Sequence, residues 1–175
     1  LDAGFGTGGV VLLFGTVAND YASDLAIDSA GRIVVVGWRI TDGGRFTTVR
    51  LLSDGSLDPA FGNGGVAETE IGKGGASRAV LIQPDGKIIV VGEDRAGGDG
   101  TVPQFAVARY LSDGSLDEEF GTGGIVTTFL GDEPTAQCIA QGVALQDDGK
   151  IVVVGQFTQA GYDYFGIARY TTTGS

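Results

Sequence analysis

The residues with which this sequence could run a reaction are carboxylates: Asp20, Glu93, Asp94, Asp132 and Glu133 fall in segments free of turn constraints. A glycoside-cleaving site needs two such groups roughly 5–10 Å apart, one of them with a raised pKa. Nothing in the spacing marks a pair. The other common chemistries are closed by counts. With no His there is no Ser-His-Asp triad, no imidazole base near neutral pH and no His-ligated zinc. The single Cys138 allows no internal disulfide and no thiolate cluster, and its apolar setting, Cys138-Ile139-Ala140, reads as a small buried hydrophobe rather than a reactive thiol. The expectation is a protein that is not an enzyme and needs no cofactor.

Two further patterns invite a chemical reading. Gly4-Phe5-Gly6-Thr7-Gly8-Gly9 resembles a phosphate cradle, but such a loop needs a helix behind it and an apolar run suited to a strand follows. The acidic loops permit calcium, although they contain no spaced calcium-binding loop, and no metal ligands are assigned. Arg50, Arg109 and Arg169 each stand four residues after a Phe, and their recurrence with an Asp at Asp2, Asp58 and Asp117 predicts a structural ion pair per repeat, with an anion site as the alternative.

These residues must be positioned by something repetitive. Leu-Asp-x-x-Phe-Gly occurs at Leu1–Gly6, Leu57–Gly62 and Leu116–Gly121, each time followed by a Gly-Gly pair and an apolar run. The chain therefore divides into repeats 1–56, 57–115 and 116–175. Within each, four short runs have strand character. The first is Val10 to Phe14, with Val66 to Ile71 and Ile125 to Phe129; the second is Leu25 to Ile27, with Val80 to Ile82 and Val143 to Leu145. The third is Ile33 to Val36, with Ile88 to Val91 and Ile151 to Val154. The fourth is Phe46 to Leu51, with Phe105 to Tyr110 and Phe165 to Tyr170. Residues 136–146 have helical spacing taken alone, but their register with the other repeats predicts a strand.

Turns at Ser29–Arg32, Pro84–Lys87 and Asp147–Lys150 carry a Gly where a tight hairpin needs positive φ, so neighbouring strands should be antiparallel. The third runs are continuously apolar and β-branched, which predicts burial on both faces. Four antiparallel strands in a unit of this length, repeated and buried on both faces, give an all-β fold of three propeller blades, one blade per repeat, forming a partial ring or half of a six-bladed one. A single sandwich is the alternative, and it leaves the recurring corner unexplained.

Asp148–Gly155, the later Phe165-x-x-x-Arg169-Tyr170 and the Leu-Asp-x-x-Phe-Gly-x-Gly-Gly corner resemble the delta-60 repeat, a bacterial propeller-forming repeat domain of unknown function. Repeat one departs from that pattern at Ser29–Arg32 and Thr48–Leu51. The resemblance covers the whole chain and implies a tandem array in a secreted or surface-attached bacterial protein, hence an extracellular or cell-surface location, with no catalytic residues to carry over.

Recognition should lie where repeats differ, because a rigid scaffold carries binding on its variable loops. The loops between first and second strands hold Asn19-Asp20-Tyr21, Lys73-Gly74-Gly75 and Asp132-Glu133-Pro134. Those between third and fourth strands run from Trp38 to Asp42, Glu93 to Gln104 and Gln156 to Tyr164. In an antiparallel meander both sets emerge at one end. That end gathers Tyr21, Trp38, Glu93, Gln156, Phe157, Tyr162 and Tyr164, suited to seating a protein loop or stacking on sugars. The alternative is that these aromatics pack between blades.

A net charge of −11 opposes nucleic acid, and no apolar run is long enough to insert in a membrane as a helix. The expected function is a non-catalytic structural or interaction module binding protein or glycan, with a lectin-like propeller as the alternative and a carboxylate-dependent glycosidase after it. Because propellers have about four to eight blades, three repeats predict self-association or further blades from a longer parent chain.

Overall fold

The computed structural model describes residues 1–14, 19–39, 44–72, 74–95, 102–131 and 136–175. They contain strands and turns and no helix. The first sheet consists of β1 (Asp20–Ile27), β2 (Ile33–Arg39), β3 (Arg45–Leu51) and β4 (Val66–Thr69), in that order. The second repeats the arrangement with β5 (Gly75–Ile82), β6 (Ile88–Asp94), β7 (Gln104–Tyr110) and β8 (Ile125–Thr128). The third has three strands, β9 (Gln137–Leu145), β10 (Ile151–Gln159) and β11 (Tyr162–Tyr170). All neighbours are antiparallel, as propeller blades require.

The hairpins follow their glycines. Gly31, Gly86 and Gly149 have φ of 76°, 85° and 80°, and the amide of each bonds the carbonyl of Asp28, Gln83 or Gln146. The segment with helical spacing is β9, a strand: pairing with β10 overrides the local pattern.

The sheets do not coincide with the sequence repeats, which corrects the expectation of one blade per repeat. Val66–Thr69 follows the Leu57 corner yet pairs with β3, with Phe46 opposite Thr69 and Val49 opposite Val66. Ile125–Thr128 likewise pairs with β7 across the Leu116 corner. Each corner reverses the chain, so the next apolar run falls beside the strand just completed, and the first run of a repeat becomes the outermost strand of the preceding sheet. Val10–Phe14 accordingly forms no strand among the described residues; Val10 makes only an isolated bridge to Gly6. Among the described residues the third sheet has three strands, so the expected three four-stranded blades are found as four, four and three.

Two apolar layers hold the sheets together. Val34, Val36 and Phe46 of the first sheet pack against Val80, Ile88, Val90, Ala106, Ala108 and Tyr110 of the second. On its other face the second sheet offers Ala79, Ile89, Val91, Phe105 and Val107 to Cys138, Ala140, Ile151, Val153 and Tyr170 of the third. Only the middle sheet is thus sandwiched: β6 is buried along its whole length, whereas Leu25 in β1 and Val154 and Ile167 in β10 and β11 remain exposed. The predicted burial of the third strands on both faces holds at the centre and fails at the flanks, where no neighbouring sheet covers them.

The Leu-Asp-x-x-Phe-Gly corners are locks between strands. Arg50 Nε donates to Asp58 Oδ2 at 2.7 Å and its guanidinium lies 4.6 Å from the centroid of Phe61; Arg109 repeats this with Asp117 at 2.8 Å and Phe120 at 4.5 Å. One arginine therefore engages both constant side chains of the corner. Gly62 sits at φ 52°, where a Cβ would lie 2.2 Å from the Val66 carbonyl oxygen, so the tight entry into β4 needs glycine. The expected ion pairs are found at Arg50 and Arg109, and they join a strand to the corner that follows it. Arg169 makes no ion pair with a described residue; it is exposed.

Candidate functional site

The two loop sets emerge at one end of the sheets, as the antiparallel order requires. Asp20 faces Arg39, Gly75 faces Asp94 and Phe157 faces Cys138, which brings Trp38, Glu93 and Gln156 to the same end of their sheets. Residues 40–43, 73, 96–101 and 132–135 lie outside the described residues, and with them Ile40, Thr41, Asp42, Lys73, Asp132, Glu133 and Pro134 of the expected loops.

Trp38 and Tyr21 are cross-strand partners and their rings stack, with centroids 4.7 Å apart and planes at 15°. The Arg95 guanidinium lies 5.2 Å from the Trp38 ring. The indole is therefore engaged within the fold, which leaves little free ring to receive a sugar. Glu93 is buried, with its Oε1 accepting from Arg95 Nε at 2.9 Å and Arg78 at 3.3 Å. Arg39 bridges Asp20 at 2.9 Å and Glu68 at 2.8 Å and lies over Phe14, and the bond to Asp20 holds its guanidinium pKa above the ordinary value. Asp20 and Glu93, two of the carboxylates a hydrolase would use, are thus held by arginines. In the third sheet Tyr162 and Tyr164 are exposed, as Tyr21 is in the first; Tyr164 lies 5.8 Å from Phe157, and Gln156 Nε2 reaches Thr158 at 3.3 Å. The seven expected residues share an end but not one pocket.

A second arrangement escaped the sequence reading. Each innermost strand carries a β-bulge at the same place: the register slips between Ala22 and Asp24, between Ser77 and Ala79, and between Gly142 and Ala140. The extra residues are Ser23, Arg78 and Gln141. A bulge re-aims the residue it inserts, and these three, with Ala22 and Ile139, line one open cup where the innermost strands converge. Opposite each bulge stands Gly37, Gly92 or Gly155, at which a Cβ would fall 1.9 to 2.0 Å from a carbonyl oxygen of the inner strand. The Gly before Trp38, Glu93 and Gln156 is required by the bulge beside it. Asp24 Oδ2 then accepts the Val80 amide at 3.0 Å and Ser77 Oγ donates to the Gly37 carbonyl, tying adjacent sheets beside the cup. Arg78 Nε is buried with no hydrogen-bond partner among the described residues. The signal was the alignment of Ala22-Ser23-Asp24 with Ser77-Arg78-Ala79 and Ala140-Gln141-Gly142 just upstream of the recognised strands.

Cys138 is buried, its sulfur 3.4 Å from the Leu130 amide, and burial pushes its thiol pKa up. Among the described residues no group of three or more acidic or thiol side chains is placed to hold a metal ion.

The family described as "Domain of unknown function (DUF5122) beta-propeller" matches residues 31–61, 83–120 and 146–175, more than half of the chain. The matched stretches begin at Gly31, at Gln83 and at Gln146, the last two each three residues before a hairpin glycine, and the first two run on into the following corner. No curated protein matches the sequence.

Proposed function

This chain belongs to that family of β-propeller domains of unknown function, and on that premise we propose that it is a non-catalytic recognition module of a secreted or surface-attached bacterial protein, taking a polar loop of a partner protein at its axial cup. The observation that carries the reading is the convergence of Ser23, Arg78 and Gln141, three different polar residues presented by three equivalent bulges. The scaffold repeats; what it presents at the axis does not. One hydroxyl, one amide and one guanidinium suit a carboxylate, a carboxamide or a backbone carbonyl. A single cation within a chain of net charge −11 does not suit a polyanion.

A photo-crosslinking amino acid placed at residue 23, and for comparison at the exposed hairpin residue 85, tests this against the surface-protein fraction of the source cells. A protein adduct from residue 23, lost when Arg78 is changed to Ala, is the expected result. An adduct confined to residue 85 overturns the placement. The glycan reading retains one specific support, the exposed Tyr162 and Tyr164. Glycan-array binding abolished by Tyr164→Ala and untouched by Arg78→Ala would replace the protein reading with that one.

A further inference from the structure

We propose that the second corner carries a modification site, at which the backbone nitrogen of Gly64 attacks the side-chain carboxamide of Asn63 in the folded chain and Asn63 deamidates. These two residues form the one Asn-Gly pair of the sequence. They lie in the corner that joins β3 to β4. That corner is an interior one, with Gly62 N bonded to Asp113 O at 2.7 Å and the Arg50 guanidinium over Phe61. Thr7 and Thr122 hold the place of Asn63 in the other two corners, so the recurring turn does not itself require an amide there.

Both reacting groups are unencumbered. The turn is tied on either side of them, with Asn63 N donating to Val66 O and Gly65 N to Phe61 O, each at 2.7 Å. The Gly64 amide between these donors bonds no described residue, and the Asn63 carboxamide has no hydrogen-bond partner among the described residues. Asn63 and Gly64 are both exposed. Gly64 has no side chain to shield its nitrogen, and even an added Cβ would meet nothing within 4 Å. The Asp-Gly pairs of the described residues differ. At Asp54, Asp85, Asp113 and Asp148 the side-chain Oδ1 accepts the amide two residues on, and an ionised carboxylate is in any case a poor electrophile.

Water is the only co-reactant. Solvent hydroxide removes the Gly64 amide proton, the nitrogen bonds to Asn63 Cγ, and the Cγ–Nδ2 bond breaks; the departing nitrogen takes a proton from water and leaves as ammonia. The product is a five-membered imide, which water opens in either of two ways. Cleavage of the new bond to Cγ gives an aspartate. Cleavage of the original peptide bond gives an isoaspartate, in which the chain runs through Cγ and is one carbon longer. In sum one water is consumed and one ammonia released. Either product adds a negative charge, and the isoaspartate also lengthens the two hydrogen-bonded loops, 61–65 and 63–66, that close over this link. The corner that holds β4 against β3 should therefore loosen.

Ageing the intact 175-residue chain in neutral and mildly alkaline buffer tests the inference, read by peptide mapping, ammonia release and labelling with an isoaspartyl methyltransferase. The tryptic peptide of residues 51–73 should exchange its amide for an acid and accept methyl groups, faster at the higher pH because the attacking nitrogen must be deprotonated. The rate should lie within about tenfold of that in the urea-unfolded chain, since no opening of the fold has to precede the attack. Asn63→Thr should fold and melt as the parent does and lose the ammonia release. The isoaspartate-bearing fraction, separated by anion exchange, should melt below the fresh protein. A folded chain that keeps the Asn63 amide while the unfolded chain converts overturns the inference, as does ammonia release undiminished in Asn63→Thr. An isoaspartate-bearing fraction that melts with the fresh protein overturns the loosening of the corner.

Discussion

Arg50 and Asp58 stand on opposite sides of a sequence-repeat boundary, 2.7 Å apart and both buried. The pair is the hinge pin of the fold. It binds the strand that ends one repeat to the corner that opens the next, and so fixes β4 against β3.

Breaking that pair from one side should be costly. Asp58→Ala leaves a buried guanidinium without its carboxylate and should destabilise the domain by about 3–5 kcal/mol. Replacing both partners with apolar residues, Arg50→Met with Asp58→Leu, should recover much of the loss. Urea denaturation of the three proteins decides it, with the exposed corner residue Glu118→Gln as a variant expected to change nothing measurable.

Acid should release the same corners. The Ala60 amide and Arg50 hold the Asp58 carboxyl below its ordinary value against burial. At Asp117 burial pushes upward, but Lys87, the Glu119 amide and Arg109 outweigh it. Both carboxyls titrate lower folded than unfolded, so their stabilisation is complete above the unfolded value of 3.8 and is lost as pH falls through the folded one. Melting temperature should be level near neutrality and drop below about pH 4, and Asp58→Asn should flatten that drop.

Two glycines separate steric need from conformational need. Gly92→Ala places a Cβ 2.0 Å from the Ala76 carbonyl oxygen and should prevent the β5–β6 bulge from forming. Gly123→Ala meets no atom within 4 Å and carries only the strain of φ 60°, about 1 kcal/mol. Thermal melts should rank them in that order, with Gly92→Ala failing to give a cooperative transition.

The buried hydroxyl of Tyr110, pushed up to about 12 by burial, donates to Thr69 Oγ1 at 2.7 Å between adjacent sheets. Tyr110→Phe leaves that threonine unmatched and should cost about 1–2 kcal/mol. Adding Thr69→Val should bring less than the sum of the single changes, and a double-mutant cycle in urea measures the coupling.

How much of this was legible in sequence follows from the physics of each part. The hairpins were, because Gly31, Gly86 and Gly149 declare positive φ locally. Strand identity was, even for β9, because three copies vote on each position, with the exception of Val10–Phe14, which forms no strand among the described residues. The partner of each outer strand was not. The alternation of Val66-Ala67-Glu68-Thr69 says which side chains face inward, but nothing in it says whether the strand pairs with β3 or with β5; the Arg50–Asp58 contact decides that. Ser23, Arg78 and Gln141 were missed because a bulge is a mismatch between two strands and neither strand alone displays it. The stacking of Trp38 on Tyr21 was not legible either, since which ring lies across from it depends on register.

The offset between repeats and sheets also bears on how such a chain can change length. A gene segment encoding residues 57–115, copied in tandem, would deliver the outer strand of one blade together with the three inner strands of the next. Every insertion heals the seam it opens. Copy number can therefore drift by whole units without leaving a mismatched strand at the point of insertion.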